Sequence, residues 1–263
     1  MPELAEVEFY RKRWNTGIKH PIQKIYTKST SRVLAQEATQ TLRSNSINNS
    51  IIESSASGKQ MLFRFEKSLW LGVHLGMTGK LISDTPAYQP GKHDHLILFT
   101  ENHSLIYQDP RAFGKLKVDK SSNPPHWWQN RAPDILTSDF SLAYLKSKTN
   151  NRTGKVKALL LDQSLFPGIG NWMADEICWR CDIHPETRFN QLSNDQLHGL
   201  WKETRQLCRQ ALRVIGRNWS TPPNDWLFNH RWKPGGICPK CNKPLDRSTV
   251  NGRTTCFCNL CQK

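Results

Sequence analysis

The sequence has no apolar run long enough to cross a membrane. Its longest apolar stretches, such as residues 69–75, are far shorter than the roughly 20 residues of a membrane-spanning helix. The first residues include acids and lack a basic segment followed by an apolar run, so we expect no secretion signal. These two absences argue against membrane-spanning and secreted proteins.

Acidic residues are scarce relative to basic ones. The chain has 22 Asp and Glu residues against 37 Lys and Arg residues, which gives a net charge of +15 and a pI near 9.6. Such an excess predicts a polyanionic partner, either nucleic acid or an anionic membrane surface. Without a membrane segment, nucleic acid is favoured. The length of 263 residues favours two modest domains over one large core.

The cysteine pattern favours a metal site over disulfides. Cys238 and Cys241 form one C-x2-C pair, and Cys258 and Cys261 form a second pair after an interval of 16 residues, 242–257. This spacing is typical of a zinc ribbon with four thiolate ligands. We therefore predict one structural Zn²⁺. The other cysteines are predicted to be packed thiols: Cys178, Cys181, Cys208 and Cys256.

A basic hairpin is predicted between the two cysteine pairs. Asn251-Gly252 is a strong signal for a two-residue hairpin turn and places Arg253 at its tip. Lys240, Lys243, Arg247 and Lys263 lie in this segment or directly beside it. Such a tip suits insertion into a nucleic-acid groove, although a solvated charged turn is the alternative for any one residue.

The N-terminus combines a helix with possible nucleophilic chemistry. Apolar residues at helical spacing predict an amphipathic helix over residues 3–18. If Met1 is removed, Pro2 becomes a secondary amine whose ordinary pKa near 8 leaves part of it unprotonated, and such amines form Schiff bases. Glu3 is adjacent and can act as an acid. The alternative is that both residues merely begin a helix.

The region from Pro21 to about Val118 predicts an antiparallel β-sandwich. It contains short β-like runs separated by turn residues, at 22–27, 60–65, 69–74, 95–100 and 104–107. Lys59 lies in a Gly-containing loop before one strand. Its ammonium is either directed into a functional site or is a solvated surface charge. His93 and His95 share a strand face, but without a third ligand a phosphate or structural role is preferred to zinc.

Helical patterns dominate the chain after a linker without periodicity. Residues 166–171 form a glycine-rich turn that opens a helix to about Cys181. Ser193 and Gln196 form a capping box for a helix that reaches about Val214. The turn places Asn171 and backbone N–H groups at a helix start, which suits a phosphate, although an ordinary helix–helix turn is equally compatible.

Seven collinear motifs carry a resemblance to a known family. They are Pro2-Glu3-Leu4-x-Glu6-Val7-Glu8, His74-Leu75-Gly76-Met77-Thr78-Gly79, Lys92-His93-Asp94-His95, Asp109-Pro110-Arg111-Ala112-Phe113-Gly114, Pro167-Gly168-Ile169-Gly170-Asn171, Ile183-His184-Pro185 and the cysteine hairpin with Arg253. In these motifs the sequence resembles the formamidopyrimidine-DNA glycosylase and endonuclease VIII family of base-excision repair enzymes. The set of Met77, Arg111 and Phe113 is closer to the formamidopyrimidine branch.

The resemblance implies an α+β fold with DNA between two halves. The expected domains are an N-terminal helix and β-sandwich (1–119), a linker (120–134), a helix–two-turn–helix module (135–232) and a zinc finger (233–263). The implied partner is damaged double-stranded DNA, bound by a monomer without a membrane. The implied location is the cytoplasm, with the nucleoid if the source is bacterial.

The resemblance also implies a role for each matching residue. Pro2 is the expected nucleophile toward the sugar C1′, Glu3 the acid that opens the sugar ring, and Glu6 a supporting acid. Lys59 and Arg253 are expected to assist elimination. The remaining expected DNA contacts are the residues that fill the gap of an extruded base, Met77, Arg111 and Phe113, and the phosphate ligands His93, Lys157 and Asn171.

The implied activity is that of a bifunctional glycosylase and abasic-site lyase that excises oxidised bases and cleaves the strand by β,δ-elimination. The expected substrates are 8-oxoguanine and formamidopyrimidines, with hydantoins or oxidised pyrimidines as further candidates. One alternative is a catalytically silent zinc-finger protein that binds DNA lesions. Another is a zinc-dependent nuclease, which four cysteine ligands disfavour because they leave no open position on the metal.

Three departures from the family pattern stand out. Ala5 replaces a usual proline, and Thr153 stands where a basic residue is common. The span from Val214 to Gly236 is shorter than in typical 8-oxoguanine enzymes, where a longer loop closes over the base. Because this span carries Trp219 and Trp226, we hypothesise an altered lesion preference in which one of them stacks near the pocket. A core role for both is the alternative.

Overall fold

The computed structural model describes residues 1–263, which form two compact units. The first contains residues 1–2 and 6–131, and the second contains residues 3–5 and 132–263. The second unit contains both the predicted helical module and the cysteine hairpin. No helix is long and apolar enough to span a membrane.

Two four-stranded antiparallel sheets make up most of the first unit. One sheet has the order β2-β3-β4-β8 and the other β1-β6-β7-β5. The strands are β1 Lys24–Thr27, β2 Ile51–Ser57, β3 Gln60–Phe65, β4 Leu69–His74, β5 Lys80–Asp84, β6 Asp94–Phe99, β7 Ser104–Gln108 and β8 Lys115–Lys120. Alternate side chains of both sheets, such as Phe63, Leu71, Leu96 and Leu98, meet in one buried core. The predicted sandwich is therefore confirmed.

Helix α1 spans Leu4–Arg13 and is shorter than predicted. A 3-10 turn at Asn15–Gly17 follows it. The chain leaves the α-helix at Trp14, whose buried indole N–H is shared between the carbonyl oxygens of Ile82 and Ile106 at 3.1 and 3.3 Å. The helical spacing of apolar residues in the sequence therefore extends beyond Arg13, although the α-helix itself ends there because Trp14 packs on the sheet.

Two helices lie in segments for which no helix was predicted. Helix α2 spans Gln36–Ser46 and buries Leu42. Its remaining sequence is largely polar, so its apolar pattern is weak. Helix α3 spans His126–Gln129 in the predicted linker, where the ring of Trp127 lies so close to Gly72 that a Cβ there would be 2.5 Å away. The predicted linker is therefore partly packed on the first sheet.

Helices α4 to α7 form the core of the second unit. They span Leu142–Thr149, Val156–Leu160, Asn171–Arg180 and Asn194–Asn218. The predicted capping box is confirmed, because Ser193 Oγ accepts from Gln196 N at 3.1 Å and Gln196 Oε1 accepts from Ser193 N at 2.9 Å. Helix α7 runs a full turn beyond the predicted end and stops at Trp219, which has a left-handed φ of 56°.

The C-terminal hairpin consists of β9 Asp246–Val250 and β10 Arg253–Phe257. Asn251 and Gly252 connect the strands with φ values of 48° and 70°. Positive φ at both positions is the requirement of a type I′ turn, which Asn-Gly satisfies with little strain. The hairpin predicted from this dipeptide is confirmed.

Candidate active site and nucleic-acid interface

The carboxylate of Glu3 caps helix α6. Its side chain is only 3% exposed and accepts backbone N–H groups of Gly170 and Trp172 at 2.9 Å and of Met173 at 3.1 Å. The first turn of a helix carries unpaired N–H groups and a partial positive charge, so it holds an acidic side chain firmly. The glycine turn predicted as a phosphate site thus holds the second residue of the predicted catalytic pair.

Pro2 precedes this fixed carboxylate directly and is half-buried. Leu4 N–H donates to the carbonyl oxygen of Gly168 at 3.0 Å, which fixes the chain on the other side of Glu3. Glu6 lies in the first turn of α1. Burial, and then the negative charge of Glu6, raise the pKa of the Tyr10 hydroxyl. Residues 3–4 are therefore held by backbone hydrogen bonds immediately after the predicted nucleophile.

Lys59 lies in the tight turn between β2 and β3. Gly58 has a φ of 57°, as the first central position of a type II′ turn requires, and Lys59 is 8% exposed. Burial, and then the charges of Lys59 and Lys117, lower the pKa of His74 on the adjacent strand. His74 Nδ1 accepts from Gly76 N–H at 3.2 Å, which fits a neutral ring. The predicted catalytic lysine is therefore not a solvated surface charge.

Two loops at one end of the sandwich carry the predicted gap-filling residues. Met77 is 40% exposed and Phe113 57% exposed, which is unusual for such apolar side chains. The guanidinium carbon of Arg111 lies 4.6 Å from the ring centroid of Phe113. A Cβ on Gly76 would lie 2.4 Å from the backbone of Phe113, so the two loops touch. The structure brings the two loops that carry these three residues together.

Buried Asp109 connects these loops. Its Oδ1 accepts from Thr78 Oγ1 at 2.5 Å, and its Oδ2 accepts from Gly114 N–H at 2.8 Å. Its own N–H donates to the carbonyl oxygen of His93 at 2.9 Å. Burial, and then the negative charge of Asp109, raise the pKa of Tyr107. One carboxylate thus fixes the segments of Met77 and Phe113 and lies beside His93.

The remaining predicted phosphate ligands have other partners. Lys157 is fully buried, and its Nζ contacts Asp175 Oδ1 at 2.6 Å, Thr255 Oγ1 at 2.8 Å and Thr254 O at 2.9 Å. Because this ammonium is fully buried among these partners, it is not exposed to a phosphate. The prediction for Lys157 is therefore corrected: it holds the hairpin. Asn171 Nδ2 also donates to Thr254 O at 2.9 Å. Because a side-chain amide has two N–H groups, the second can donate to another acceptor.

Arg253 is exposed at the hairpin tip, whereas two of its predicted basic companions are not part of that tip. Lys240 Nζ donates to the carbonyl oxygen of Trp179 at 2.7 Å and contacts Asp182 Oδ1 at 2.6 Å, at the end of α6. Arg247 Nη1 donates to the carbonyl oxygen of Arg231 at 2.7 Å. The predicted basic cluster is thus corrected, because both cations fasten the hairpin to the rest of its unit.

The four predicted metal ligands meet at the base of the hairpin. The Sγ atoms of Cys238, Cys241, Cys258 and Cys261 all lie within 4.8 Å of one another. Two of their separations, 3.9 and 3.5 Å, are close to the roughly 3.8 Å edge of a tetrahedron with metal–sulfur bonds of about 2.3 Å. The indole N–H of Trp179 donates to Cys238 Sγ at 3.3 Å. The set can bind a metal ion with four thiolates.

Comparison with known families identifies the chain. The model of the formamidopyrimidine-DNA glycosylase N-terminal domain matches residues 1–116, and that of the formamidopyrimidine-DNA glycosylase H2TH domain matches residues 132–222. The chain belongs to the formamidopyrimidine-DNA glycosylase family. Like its named relatives, it is a DNA glycosylase of DNA repair, and the resemblance stated from the motifs is confirmed.

Its relatives and structural neighbours are bacterial formamidopyrimidine-DNA glycosylases. It is 33% identical to that of Chloroflexus aggregans over 78% of both chains, and 30% and 31% identical to those of Teredinibacter turnerae and Pelobacter propionicus over the full length of both chains. The Lactococcus lactis enzyme with oxidised-pyrimidine DNA aligns with a TM-score of 0.89 at 29% identity and covers both chains fully. The complex of that enzyme with abasic-site DNA gives a TM-score of 0.88 at 28% identity over 99% of both chains.

The two tryptophans of the short loop differ in their surroundings. Trp226 is 5% exposed, with its ring stacked on Trp172 at 6.5 Å and the guanidinium of Arg180 at 4.5 Å. It is a core residue of this glycosylase, so the proposed stacking role does not extend to it. Trp219 is 48% exposed at the end of α7, and Trp232, which sequence reasoning did not single out, is 54% exposed.

Other buried polar residues that contact the predicted site residues or their neighbours gave little signal in the sequence. Asp109 belongs to a family motif, but its contacts join separate loops. Asp175 and Arg231 lie in no motif, yet both are buried and paired. His95 has both ring nitrogens occupied, by Ser31 Oγ at 2.8 Å and Asp109 O at 2.9 Å, which supports the predicted structural role instead of a metal.

Proposed function

We propose that this protein is a bifunctional DNA glycosylase and abasic-site lyase that uses Pro2 as its nucleophile. The observation that carries this proposal is the fixed Glu3 carboxylate, which accepts three backbone N–H groups one residue after Pro2. An amine and an acid that are adjacent in sequence and held at a helix start supply both groups that Schiff-base chemistry at a sugar requires.

The first step is displacement of the damaged base. With Met1 removed, the lone pair of the Pro2 nitrogen attacks C1′, and the electrons of the glycosidic bond leave with the base, which takes up a proton. The nitrogen, now bonded to C1′ as an ammonium, gives up its proton, which the departing base takes up. Glu3 then protonates the sugar ring oxygen as the C1′–O4′ bond breaks, and the regained nitrogen lone pair forms the C1′=N⁺ iminium. Because Pro2 is a secondary amine, this intermediate stays cationic and withdraws electrons strongly from the sugar.

The iminium makes strand cleavage possible. It acidifies the C2′ proton, whose removal expels the 3′ phosphate in β-elimination. Removal of a proton from C4′ then expels the 5′ phosphate in δ-elimination. We assign assistance of these steps to Lys59 and Arg253, and a supporting role in the acid–base chemistry to Glu6. The low exposure of Lys59 supports this assignment, because a cation held in a tight turn is aimed rather than mobile.

Recognition requires the damaged nucleotide to leave the stack, which costs a few kcal/mol. We assign compensation of this cost to Met77, Arg111 and Phe113. The two exposed apolar side chains are suited to wedge between bases, and the guanidinium over the Phe113 ring adds a planar cation. His93 and the remaining N–H of Asn171 are proposed phosphate donors. The partner is duplex DNA in the cytoplasm, and the protein acts as a monomer.

We propose Zn²⁺ as the ion of the four-cysteine site. Four thiolates whose sulfur atoms all lie within 4.8 Å of one another suit this ion and close its coordination sphere, so its contribution is structural. Bound there, it stabilises the hairpin that presents Arg253.

We propose oxidised purines, 8-oxoguanine and formamidopyrimidines, as the main substrates, with oxidised pyrimidines and hydantoins as further ones. The breadth of this range is supported by the short, tryptophan-bearing loop and by the similarity to an enzyme crystallised with oxidised-pyrimidine DNA. An excision panel with all four lesion classes in one assay tests it, and a rate confined to one class would contradict it.

Borohydride trapping tests the mechanism. Reduction during reaction with abasic or 8-oxoguanine DNA should give a covalent adduct, and peptide mass spectrometry should place it on the nitrogen of Pro2. Pro2→Gly, which keeps an amine, and Glu3→Gln should bind DNA but slow adduct formation strongly. An adduct on another residue, or active protein that retains Met1, would contradict the proposal.

The same experiment separates the alternatives. Binding to lesion DNA without any adduct would indicate a silent recognition protein. Cleavage without an adduct that stops when the metal is removed, while the fold persists, would indicate a nuclease.

A further inference from the structure

Lys157, Asp175 and Arg231 form an ion group inside the helical unit. Their side chains are 0%, 0% and 4% exposed. Asp175 pairs with Lys157 Nζ through Oδ1 and with Arg231 Nη2 through Oδ2, both at 2.6 Å. Burial lowers the pKa of Lys157, although the charge of Asp175 opposes that change. Since burying ions costs several kcal/mol each, such a group is better explained by a requirement for geometry than by stability.

The geometry that this group fixes is that of strand β10. Lys157 Nζ donates to Thr254 O at 2.9 Å and to Thr255 Oγ1 at 2.8 Å, and Asp175 Oδ2 accepts from Cys256 N–H at 3.0 Å. Three consecutive residues of β10 are therefore bound by side chains from helices α5 and α6.

A hydrogen-bond chain leads from the buried ions to the residue at the hairpin tip. The Thr255 hydroxyl that accepts from Lys157 donates to the carbonyl oxygen of Arg253 at 3.1 Å. Asn171 Nδ2 adds a second bond to Thr254 O at 2.9 Å. Arg253 is exposed, but its backbone is joined by hydrogen bonds to Lys157, whose ammonium is fully buried with Asp175.

We propose that Lys157 and Asp175 are positioning residues that fix the start of β10 and thereby hold Arg253 in place for the second elimination. This proposal rests on the role assigned to Arg253 under the proposed function. It gives the buried lysine a role in the reaction although it touches neither the DNA nor the reacting atoms. Base excision, which uses Pro2 and Glu3, depends less on this contact than δ-elimination does.

The test measures how the product divides between β- and δ-elimination. Lys157→Met removes the ammonium and keeps the length of the side chain, and Thr255→Val removes only the hydroxyl link. Both should keep base excision within about threefold of the unsubstituted enzyme and reduce the δ-product fraction about tenfold, because small misplacements slow a positioned step strongly. Thr255→Ser retains the hydroxyl and should restore the δ-product.

Zinc content and the salt dependence of DNA binding are measured on the same proteins. Zinc content should remain unchanged. A Lys157→Met enzyme whose logarithmic salt slope falls by about one unit would instead have lost a phosphate contact, and the proposal would be wrong. An unchanged product ratio in Thr255→Val would also overturn it. Absence of any borohydride adduct with the unsubstituted enzyme would overturn the proposed function itself, which is a separate result.

Discussion

Gly170 and the carboxylate of Glu3 lie in direct contact, so no larger residue fits at position 170. A Cβ built there would be 2.3 Å from Glu3 Cδ and 2.5 Å from Oε1. Real atoms do not approach so closely, and Glu3 has little space to move because three backbone N–H groups hold it. The glycine therefore determines where the residue after Pro2 lies.

We expect Gly170→Ala to slow borohydride-trappable adduct formation about tenfold to a hundredfold, because Glu3 is displaced from its position beside Pro2, the proposed nucleophile. Single-turnover kinetics on 8-oxoguanine DNA measure this change. Gly199→Ala is the matched control, since nothing lies within 4 Å of a Cβ there. In the interior of α7 that alanine should stabilise the protein by up to about 1 kcal/mol. Equal rates for both variants would contradict the prediction.

Asp109→Asn should loosen both loops that carry the proposed gap-filling residues. The amide replaces one of the oxygens that accept from Thr78 Oγ1 and Gly114 N–H, so a buried donor loses its partner at a cost of about 1–3 kcal/mol. We expect a lower unfolding free energy and faster hydrogen exchange around Met77 and Phe113. Asp84→Asn, at an exposed position, is the control and should change neither.

The pH dependence of stability should carry a contribution from His74. Burial first, and then the charges of Lys59 and Lys117, lower the pKa of His74 in the folded protein below its ordinary value near 6.5. Between these two pKa values the unfolded chain binds more protons, so stability falls as the pH falls through that window. We expect His74→Asn to remove this part of the slope in denaturation curves measured as a function of pH.

Replacing Lys59 should change the pKa of His74. Lys59→Met removes one of the positive charges that disfavour the imidazolium, so the pKa of His74 should rise toward its ordinary value. NMR titration of the His74 ring gives the pKa directly. A pKa that stays in place would indicate that Lys59 does not lie close to His74.

Removal of one of the four cysteine ligands should show what the hairpin contributes to the proposed reaction. If the site binds the proposed Zn²⁺, Cys241→Ser should lose the metal by elemental analysis, melt at a lower temperature and lose the proposed δ-elimination, because a hairpin built around a metal depends on it. Cys181→Ser is the control. Burial raises the pKa of Cys181 to about 12, so this thiol stays protonated and should leave zinc content unchanged.

Two substitutions at Trp219 distinguish the contribution of its ring from that of its backbone conformation. Trp219 has a left-handed φ of 56°, which glycine adopts with less strain, so Trp219→Gly should destabilise the fold less than Trp219→Ala. Both variants should shift excision rates among the four lesion classes if the ring stacks near the extruded base. Unchanged ratios in both would remove the proposed role of the ring.

The sequence alone determined the features that depend on short covalent spacing. Two C-x2-C pairs specify four ligands, Asn-Gly specifies a hairpin turn, and alternating apolar residues specify the strands of the sandwich. The capping box at Ser193 is of the same kind, because its two bonds join residues three positions apart. The family motifs also gave the predictions for the nucleophile, the carboxylate, the loop lysine and the hairpin arginine.

Only the tertiary structure decided what the polar side chains contact. Lys157 could have been a phosphate ligand, but its partners Thr254 and Thr255 lie 97 and 98 residues away in sequence. Asp175 meets Cys256 across 81 residues, and Glu3 meets Gly170 across 167. A buried charge is tolerated only where partners surround it, and which partners these are depends on how distant segments pack, which no local pattern encodes.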